Sequence, residues 1–304
     1  MPPVLEISRI SKSYRTSLSL RKYWILRDLS LSVEPGEIFG FIGPNGAGKT
    51  TTLKLVMDLI RPDGGTIRIF GRSHREVGTK ARIGFLPENP YFYDYLTARE
   101  FLNFYGRLFG FSRAVREART GALLEKVGLG NRGDRQLRKF SKGMLQRIGL
   151  AQALLNDPEL VILDEPMSGL DPVGRREVRD LILSLKQAGK TIFFSTHILS
   201  DTELICDRVG ILSKGDLKAV GRVSQLLAHQ ARFYEVAFSG LSADGLPGVE
   251  SVVSRHGGET LVRARDEEAV RALAEAVLQR GGTLKGVVPQ RESLEDLFLR
   301  EIQR

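Results

Sequence analysis

The sequence predicts an α/β fold built around a mostly parallel β-sheet, and three observations predict it. Short apolar segments with strand character alternate with longer segments whose apolar residues recur at helical spacing. A glycine-rich stretch joins one of these strands to one of these helices. Another apolar segment ends in two adjacent carboxylates. Strands that alternate with helices pair in parallel, and helices then cover both faces of the sheet.

The composition fits a globular protein with one large and one small domain. The chain has 304 residues, of which 42% are hydrophobic and 27% are charged, and these values are typical of soluble domains. No apolar run reaches the ~20 residues that a membrane-spanning helix needs. The first residues lack the charged start and long apolar core of a signal peptide. The single cysteine, Cys206, excludes an internal disulfide and fits a reducing compartment.

The stretch 43–50, with sequence GPNGAGKT, fits the phosphate-loop pattern G-x-x-x-x-G-K-[ST] at each fixed position. The run before it has strand character, and 51–60 after it has apolar residues at helical spacing. Such a loop points backbone N–H groups and a helix N-terminus at phosphates. Lys49 would reach the β- and γ-phosphates, and Thr50 would ligate Mg²⁺. A chance glycine-rich turn does not account for this context, so we expect ATP and Mg²⁺ to bind here. The predicted phosphate-binding residues are Gly43, Pro44, Asn45, Gly46, Ala47, Gly48, Lys49, Thr50 and Thr51.

The first part of the chain predicts a small antiparallel sheet beside the parallel one. Residues 4–10 and 29–33 alternate in hydrophobicity, as strands with one buried face do. Further strands are predicted at 66–71 and 83–86. Residues 15–25 have the composition of a loop or a short extra turn.

The middle of the chain predicts a helical subdomain over about 97–155. Thr97 and Glu100 form a capping box at the start of its first helix. A second helix begins at Ser112, and a third opens near Ser141. Strands then return at 160–163 and 191–195, and an amphipathic helix over 172–188 connects them.

Beyond residue 221 the character of the sequence changes. Strands are predicted at 233–238, 260–263 and 283–288, with an amphipathic helix over 267–280 and a closing helix over 293–302. Residues 222–304 are close to neutral, so the net charge of +9 belongs to residues 1–221. An excess of positive charge is compatible with binding to a nucleotide, to anionic lipid or to nucleic acid, and the charge alone does not distinguish these three ligands. We predict a nucleotide-binding domain over 1–221 and a small accessory α/β domain over 222–304.

The apolar segment 160–163 ends in Asp164 and Glu165. Parallel sheets bind ligands at the carboxyl ends of their strands, so we expect both carboxylates near the phosphate loop. Asp164 fits the acid that holds Mg²⁺ in phosphate-loop enzymes. Glu165 fits a base that polarises the attacking water. An apolar strand ending in two acids means little by itself, but with the phosphate loop it predicts hydrolysis of the nucleotide.

The stretch 140–147 resembles the signature Leu-Ser-Gly-Gly-Gln of the ABC (ATP-binding cassette) ATPase family. Ser141 and Gly143 match this signature. The departures from it are Phe140, Lys142 and Met144. With the phosphate loop and the two acids, the resemblance covers residues 4–222 and implies a P-loop NTPase fold. Its parts would be a mostly parallel core, an antiparallel β subdomain and a helical subdomain.

The resemblance implies further site residues in chain order. Tyr14 is similar to the aromatic residue that stacks on adenine in the family. Asp171 ends a stretch similar to the loop after the catalytic glutamate, and it also suits a helix cap. His197 follows a predicted strand and is similar to the family's switch histidine. These residues complete an ordered set of motifs that is far more specific than any one of them.

Two local departures leave alternatives open. The family places a glutamine near residue 88, where it serves Mg²⁺ and the lytic water; this chain has Glu88, whose carboxylate can take both roles. Residues 15–23 resemble an insertion after Tyr14. Tyr23 and Trp24 are therefore alternatives to Tyr14 for stacking on adenine, since stacking needs only an aromatic face nearby.

The resemblance implies that two ATP-binding subunits pair head to tail around two Mg-ATP. Each signature serine would then close on the γ-phosphate of the partner, and a second copy of this chain is preferred to a different subunit. The signature variant and the stretch 293–299 resemble ABC-2 type exporters, which encode their transmembrane permease on a separate chain. This implies a cytoplasmic protein held at the inner face of the cell membrane by the permease, with no nucleic acid as partner.

The competing class is an ABC ATPase that acts on nucleic acid or the ribosome. Such proteins carry two cassettes in one chain or long coiled coils, whereas this chain has one cassette and no sustained heptads. A cluster of aromatic residues over 91–95 precedes the capping box in a predicted loop. Its rings cannot all turn inward, so we expect an interface there with the permease. The rings predicted to fill the core of the helical subdomain are Phe101, Phe104, Tyr105 and Phe109.

Overall fold

The structure is a computed structural model that describes residues 2–16, 19–227, 233–290 and 293–303. It divides into two compact units, Met1–Val223 with Glu301–Arg304, and Ser224–Arg300. In chain order the elements of the first part are β1 (Leu5–Thr16), β2 (Ser19–Val33), β3 (Ile38–Ile42), α1 (Lys49–Val56), β4 (Gly64–Ile69), β5 (Arg72–Ser73), α2 (Val77–Lys80), β6 (Ile83–Leu86), α3 (Ala98–Leu108), α4 (Arg113–Lys126) and α5 (Lys142–Ala153). The elements that follow are β7 (Leu160–Asp164), α6 (Pro172–Gln187), β8 (Thr191–Thr196), α7 (Leu199–Ile205), β9 (Arg208–Ser213), β10 (Asp216–Arg222), α8 (Val223–Leu226), β11 (Phe233–Ser239), β12 (Ser251–His256), β13 (Glu259–Ala264), α9 (Glu267–Gln279), β14 (Thr283–Gln290) and α10 (Leu294–Gln303).

A mostly parallel sheet forms the centre of the first unit. Within the described residues its strand order is β10-β9-β3-β8-β7-β6, and only the β9–β10 pair is antiparallel. All residues of β3, β7 and β8 are buried, as expected for strands covered on both faces. The predicted parallel sheet is therefore confirmed. Ile42 pairs with Thr196, and Asp164 pairs with Ser195, so the carboxyl ends of these three strands meet.

A smaller antiparallel sheet has the order β2-β1-β4-β5, as predicted for the first part of the chain. The predicted loop over residues 15–25 is wrong, because β1 and β2 continue as a hairpin through the pair Tyr14–Tyr23 to the pair Thr16–Ser19. Tyr14 and Tyr23 on one face and Trp24 on the other are all exposed, so neither face of this hairpin end is buried and the sequence shows no alternation there. Residues 17 and 18, which fall in the predicted loop, lie outside the described residues.

Side-chain caps fix the starts of the helices in the helical subdomain. The Glu100 backbone N–H donates to Thr97 Oγ1 at 3.2 Å, and the Thr97 N–H donates to Glu100 Oε2 at 2.8 Å, so the predicted capping box is confirmed. Ser112 and Ser141 cap α4 and α5. Helix α1 ends at Val56, four residues before the predicted end, with Asp58 in a left-handed conformation beyond it.

The aromatic residues of α3 do not all fill the core. Phe101 is buried, and Tyr105 packs against the same core, as predicted. Phe104 and Phe109 are 37% and 41% exposed, so their predicted core position is wrong. Phe104 is on the solvent-facing side of α3, where its ring lies 5.5 Å from that of Tyr93, centroid to centroid. Phe109 is the residue directly after the end of α3.

The second unit is a four-stranded antiparallel sheet, within the described residues, with the order β12-β13-β11-β14. Its core forms between this sheet and α9 and includes Val236, Phe238, Val262, Leu273 and Val277. Strand β12 was not predicted, because all its residues are exposed and no apolar alternation marks it. Among the described residues of the whole chain, no helix combines the length and apolar character needed to cross a membrane.

Candidate nucleotide-binding site

The glycine-rich loop turns strand β3 directly into helix α1. Gly46 and Gly48 have φ angles of 80° and 112°, which L side chains rarely adopt. A Cβ on Gly48 would also lie only 2.7 Å from Leu26 Cδ2. The first residue of α1 is Lys49. The loop therefore brings its backbone and the helix N-terminus to one point, as phosphate binding requires.

A cleft of about 360 Å³ opens beside this loop. It collects residues from the loop, from the segment after β6 and from the ends of β7 and β8. The residues lining it are Ile25, Asn45, Gly46, Gly48, Lys49, Thr50, Thr51, Glu88, Glu165, Ser168 and His197. The structure thus brings together the predicted phosphate loop, the predicted catalytic residues and two of the predicted metal ligands.

Lys49 lies at the bottom of the cleft. Its Nζ donates to the carbonyl oxygens of Gly43 at 2.7 Å and Pro44 at 3.3 Å. The same Nζ lies 3.3 Å from Glu165 Oε1, and both side chains are only 6% exposed. Two buried opposite charges in contact compensate each other, so neither remains as an isolated charge in the interior.

Asp164 is held by two hydroxyl groups. Its Oδ1 accepts hydrogen bonds from Ser195 Oγ at 2.5 Å and Thr50 Oγ1 at 3.2 Å. Burial raises the pKa of Asp164 above its usual value, and these two hydrogen bonds counteract part of that effect. Asp164 itself does not line the cleft, but its hydrogen bond from Thr50 places its carboxylate next to a residue that lines the cleft together with Glu88.

Glu165 contacts the predicted switch histidine. His197 Nδ1 lies 2.9 Å from Glu165 Oε2. The Glu165 backbone N–H lies 3.1 Å from the backbone oxygen of Ser195, and its φ angle is 51°, in the left-handed region. The carboxylate of Glu165 thus lies between Lys49 and His197, directly after a buried strand.

The predicted residues of the signature and of the next loop lie outside this cleft. Ser141 caps α5, its hydroxyl accepting from the Met144 N–H at 3.3 Å, and Gly143 is in the first turn. Asp171 caps α6 and accepts from the Gly174 N–H at 2.7 Å. The structure therefore places the signature at a helix start and not against the nucleotide cleft of its own chain.

Tyr14 is not among the residues that line the cleft, and neither are Tyr23 and Trp24. Tyr14 and Tyr23 are cross-strand partners, so they share one face of the hairpin; Trp24 pairs with Ser13 and lies on the other face. The side chain that does line the cleft from this hairpin is Ile25. None of the three lines the cleft, so Tyr14 stays the predicted residue for stacking on adenine, with Tyr23 and Trp24 as the alternatives.

Several residues in contact with the site were not predicted. Ser195 bonds to Asp164, Ser168 lines the cleft, and Gln146 bonds to the residue after Glu165. Ser195 lies two positions before His197, so the motif already contained it. Gln146 lies within the stretch 140–147 that resembles the signature, but the pattern does not reveal its contact with Pro166, 20 positions away.

Comparison with known proteins agrees with this geometry. The sequence profile of the family "ABC transporter" matches residues 26–168. An ABC transporter ATP-binding protein of Synechocystis sp. is 46% identical over 99% of this chain and 85% of its own length. The Nod factor export ATP-binding protein I of Cupriavidus pinatubonensis is 37% identical over 85% of this chain and 79% of its own.

A solved structure described as the ATP-binding subunit of an ABC transporter has the same fold. It is 35% identical, with a TM-score of 0.65, and the match covers 73% of this chain and 91% of that one. The resemblance predicted from the motifs is thereby confirmed. The chain belongs to the ABC transporter family as an ATP-binding protein with the cassette fold, and its activity is that of an ATPase.

Proposed function

We propose that this protein is the ATP-hydrolysing subunit of an ABC-2 type exporter and that it drives a separate transmembrane permease. The observation that carries the proposal is the cleft in which Lys49, Glu165 and His197 meet the phosphate loop. The relative that exports Nod factors supports an export function, because it matches over most of this chain. The signature variant and the ending 293–299 support the ABC-2 type.

The residues of the cleft have distinct roles in hydrolysis. The loop from Gly43 to Thr51 wraps the phosphates, and Lys49 compensates the charge on the β- and γ-phosphates. Glu165 takes the proton of the attacking water. His197, within hydrogen-bond distance of Glu165 Oε2, orients this carboxylate and faces the γ-phosphate. Glu88 lies in the same cleft, where it orients the water.

The ligand set at the cleft fits Mg²⁺. Thr50, Asp164 and Glu88 offer a hydroxyl and two carboxylates, and Mg²⁺ binds such oxygen ligands in preference to nitrogen or sulfur. When bound together with ATP, Mg²⁺ would neutralise charge on the phosphate oxygens. Asp164 is already oriented for this by its hydrogen bond from Ser195.

The signature residues serve a second copy of the chain. Ser141 and Gly143 lie at the N-terminus of α5, outside the cleft of their own chain, and a helix N-terminus favours an anion. In a head-to-tail homodimer each α5 would close on the nucleotide of the partner, with Asp171 at the contact between copies. Two Mg-ATP would then hold the dimer closed, and hydrolysis would release it.

The permease would contact the loop between β6 and α3 and hold the protein at the cytoplasmic face of the membrane. Tyr91 is 82% exposed, and Tyr95 is also exposed, whereas Phe92 and Tyr93 pack against the core. Exposed tyrosines in a loop are characteristic of protein interfaces. This loop also carries Glu88, so a bound permease would be connected to the site of hydrolysis.

The proposal is tested with the substitution Glu165→Gln. We expect ATP to bind as before, because Lys49 and the loop remain, while ATP hydrolysis slows about a hundredfold or more on loss of the general base. ATP should also hold the variant as a dimer, which size-exclusion chromatography with light scattering measures. The matched control is Glu117→Gln, an exposed residue of α4. Wild-type turnover by Glu165→Gln would assign the base to another residue.

A further inference from the structure

Gln146 connects the signature helix to the segment that carries the catalytic glutamate. It lies in the second turn of α5, and its side chain is buried. Its Nε2 donates a hydrogen bond of 2.9 Å to the backbone carbonyl of Pro166, the residue after Glu165. A buried amide that reaches a backbone carbonyl 20 positions away fixes the distance between the two segments.

The backbone at Glu165 needs support from outside its own segment. Its φ angle of 51° is one that a residue with a side chain holds only when the surrounding structure enforces it. On one side, the Glu165 N–H is placed 3.1 Å from the carbonyl oxygen of Ser195 on β8. On the other side, its carbonyl accepts from the Ser168 N–H, and the next carbonyl, that of Pro166, accepts from Gln146. Strand β8 and helix α5 therefore hold the peptide groups on either side of Glu165.

Further contacts bring residues 166–170 against the first turns of α5. A Cβ on Gly169 would overlap the Lys142 side chain, so this side chain lies across the Gly169 backbone. A Cβ on Gly143 would lie 3.7 Å from Leu170 Cδ2. The segment after Glu165 therefore follows the start of α5 closely, and a shift of this helix is transmitted to it.

We propose that Gln146 is a positioning residue for ATP hydrolysis. Through its hydrogen bond to the Pro166 carbonyl, a movement of α5 would move the carboxylate of Glu165. The inference rests on the proposed function, in which the N-terminus of α5 contacts the nucleotide of the partner. Engagement of Ser141 with that nucleotide would then set the position of Glu165 in the other cleft. Hydrolysis at one site thereby depends on occupancy of the second.

The test uses Gln146→Met in the full-length protein. Methionine has nearly the same volume but cannot donate a hydrogen bond. We expect kcat for ATP to fall roughly ten- to hundredfold, the size of effect that a misplacement of about 1 Å produces. KM for ATP and Kd for ADP should stay at the wild-type values, because Gln146 does not line the cleft. Kinetics and calorimetry measure these quantities.

Two further variants make the result specific. Gln152→Met changes the same residue type on the same helix, where the side chain is half-buried, and should leave kcat unchanged. Gln146→Asn keeps an amide but is one methylene too short to reach the Pro166 carbonyl, so it should lose kcat as Gln146→Met does. It provides the measurement if the methionine variant does not fold.

The outcomes separate this inference from the proposed function. A wild-type protein without ATPase activity would contradict the proposed function itself. Active wild-type protein together with wild-type kcat in Gln146→Met or Gln146→Asn would overturn the positioning role. Parallel losses of kcat, ADP binding and thermal stability would also overturn it, since they would show that Gln146 only holds the fold together.

Discussion

At the scale of single residues, the site is organised by contacts between segments that are far apart in the chain. Lys49 of the phosphate loop contacts Glu165, the residue after β7, and Asp164 is hydrogen-bonded both to Thr50 and to Ser195. All of these side chains except the half-buried Thr50 are buried, so their charges and hydrogen-bonding atoms depend on one another. Replacing Lys49 therefore removes a phosphate contact and the partner of Glu165 together, so the test of Lys49 below measures both affinity and stability.

Replacing Lys49 with alanine should weaken nucleotide binding. A charge-assisted contact to the phosphates is worth about 1.5–3 kcal/mol, which corresponds to a roughly ten- to hundredfold increase in Kd for ATP. Calorimetric titration measures the affinity, and thermal melting reports whether the loss of the pair with Glu165 destabilises the fold. Lys54→Ala, at an exposed position of α1, is the control. An unchanged Kd for the Lys49 variant would contradict the role assigned to the loop.

The sequence predicted those site residues that belong to a local pattern. The phosphate loop, the strand that ends in Asp164 and Glu165, and the stretch ending in His197 each lie within a few positions of a recognisable strand or helix. Gln146 could not be predicted, because its hydrogen bond depends on which carbonyl lies beside it in the folded chain. The residue that faces adenine was left open for a similar reason, since several aromatic residues are close in sequence.

At the scale of elements, the loop between β6 and α3 separates two kinds of aromatic residue. Phe92 turns inward, and its ring lies 5.4 Å from that of Phe101, centroid to centroid. Tyr91 is exposed, and its ring contacts that of Tyr93 in the same loop. A structural role explains the first ring. It does not explain the second, which is why Tyr91 is the position to test for contact with a permease.

We expect Tyr91→Ala to lower the ATPase activity that the permease stimulates and to leave the basal activity of the isolated subunit unchanged. The physical reason is that an exposed aromatic ring contributes to an interface without supporting the core. ATPase rates with and without the permease in a membrane preparation measure both quantities. Leu108→Ala, exposed at the end of α3, is the matched control. An equal loss of both activities in the Tyr91 variant would show that the ring supports the fold.

A segment could be predicted as a helix or a strand where one of its faces is buried, because its apolar residues then recur at the spacing of that element. The helices of the subdomain and their caps follow from the spacing of apolar residues and from Thr97, Ser112 and Ser141. The end of the β1–β2 hairpin and strand β12 have no buried face, so their hydrogen bonding left no pattern in the sequence. The short helices α2 and α7 have too few residues for a period to be recognised.

At the scale of the whole molecule, each of the two units has a core of its own. Two clusters of buried residues lie in the first unit, and a third lies in the second. The first unit also contains the whole nucleotide cleft. A unit with its own core and its own site is expected to fold without the rest of the chain.

We therefore expect a chain ending at residue 223 to fold and to bind ATP with an affinity close to that of the full-length protein. Circular dichroism and thermal melting would report on the fold, and calorimetry on the affinity. The full-length protein measured under the same conditions is the control. A truncated protein that is insoluble, or that no longer binds ATP, would show that the cassette needs residues beyond 223. This experiment tests the domain boundary that the change in charge near residue 222 predicted.

The parallel sheet was the most predictable feature of the molecule, since alternating strands and helices leave few other arrangements. In a parallel sheet the carboxyl ends of neighbouring strands lie at the same edge. The predicted sheet therefore also predicted that the site would lie where β3, β7 and β8 end. The sequence analysis did not predict β9 and β10. Strand β9 lies inside the sheet between β3 and β10, and such a short buried segment has no alternation to mark it as a strand, while β10 is at the edge of the sheet.

The left-handed backbone of Glu165 has a consequence for how this protein tolerates mutation. Glycine would adopt that φ angle without strain, whereas any residue with a larger side chain raises the energy of the folded state by about 1–3 kcal/mol. The backbone conformation alone would thus favour glycine directly after β7, but a glycine there would leave the buried Lys49 without its opposite charge. A substitution that relieves the strain at Glu165 therefore loses the buried charge pair, so the strained backbone and the pair are kept or lost together.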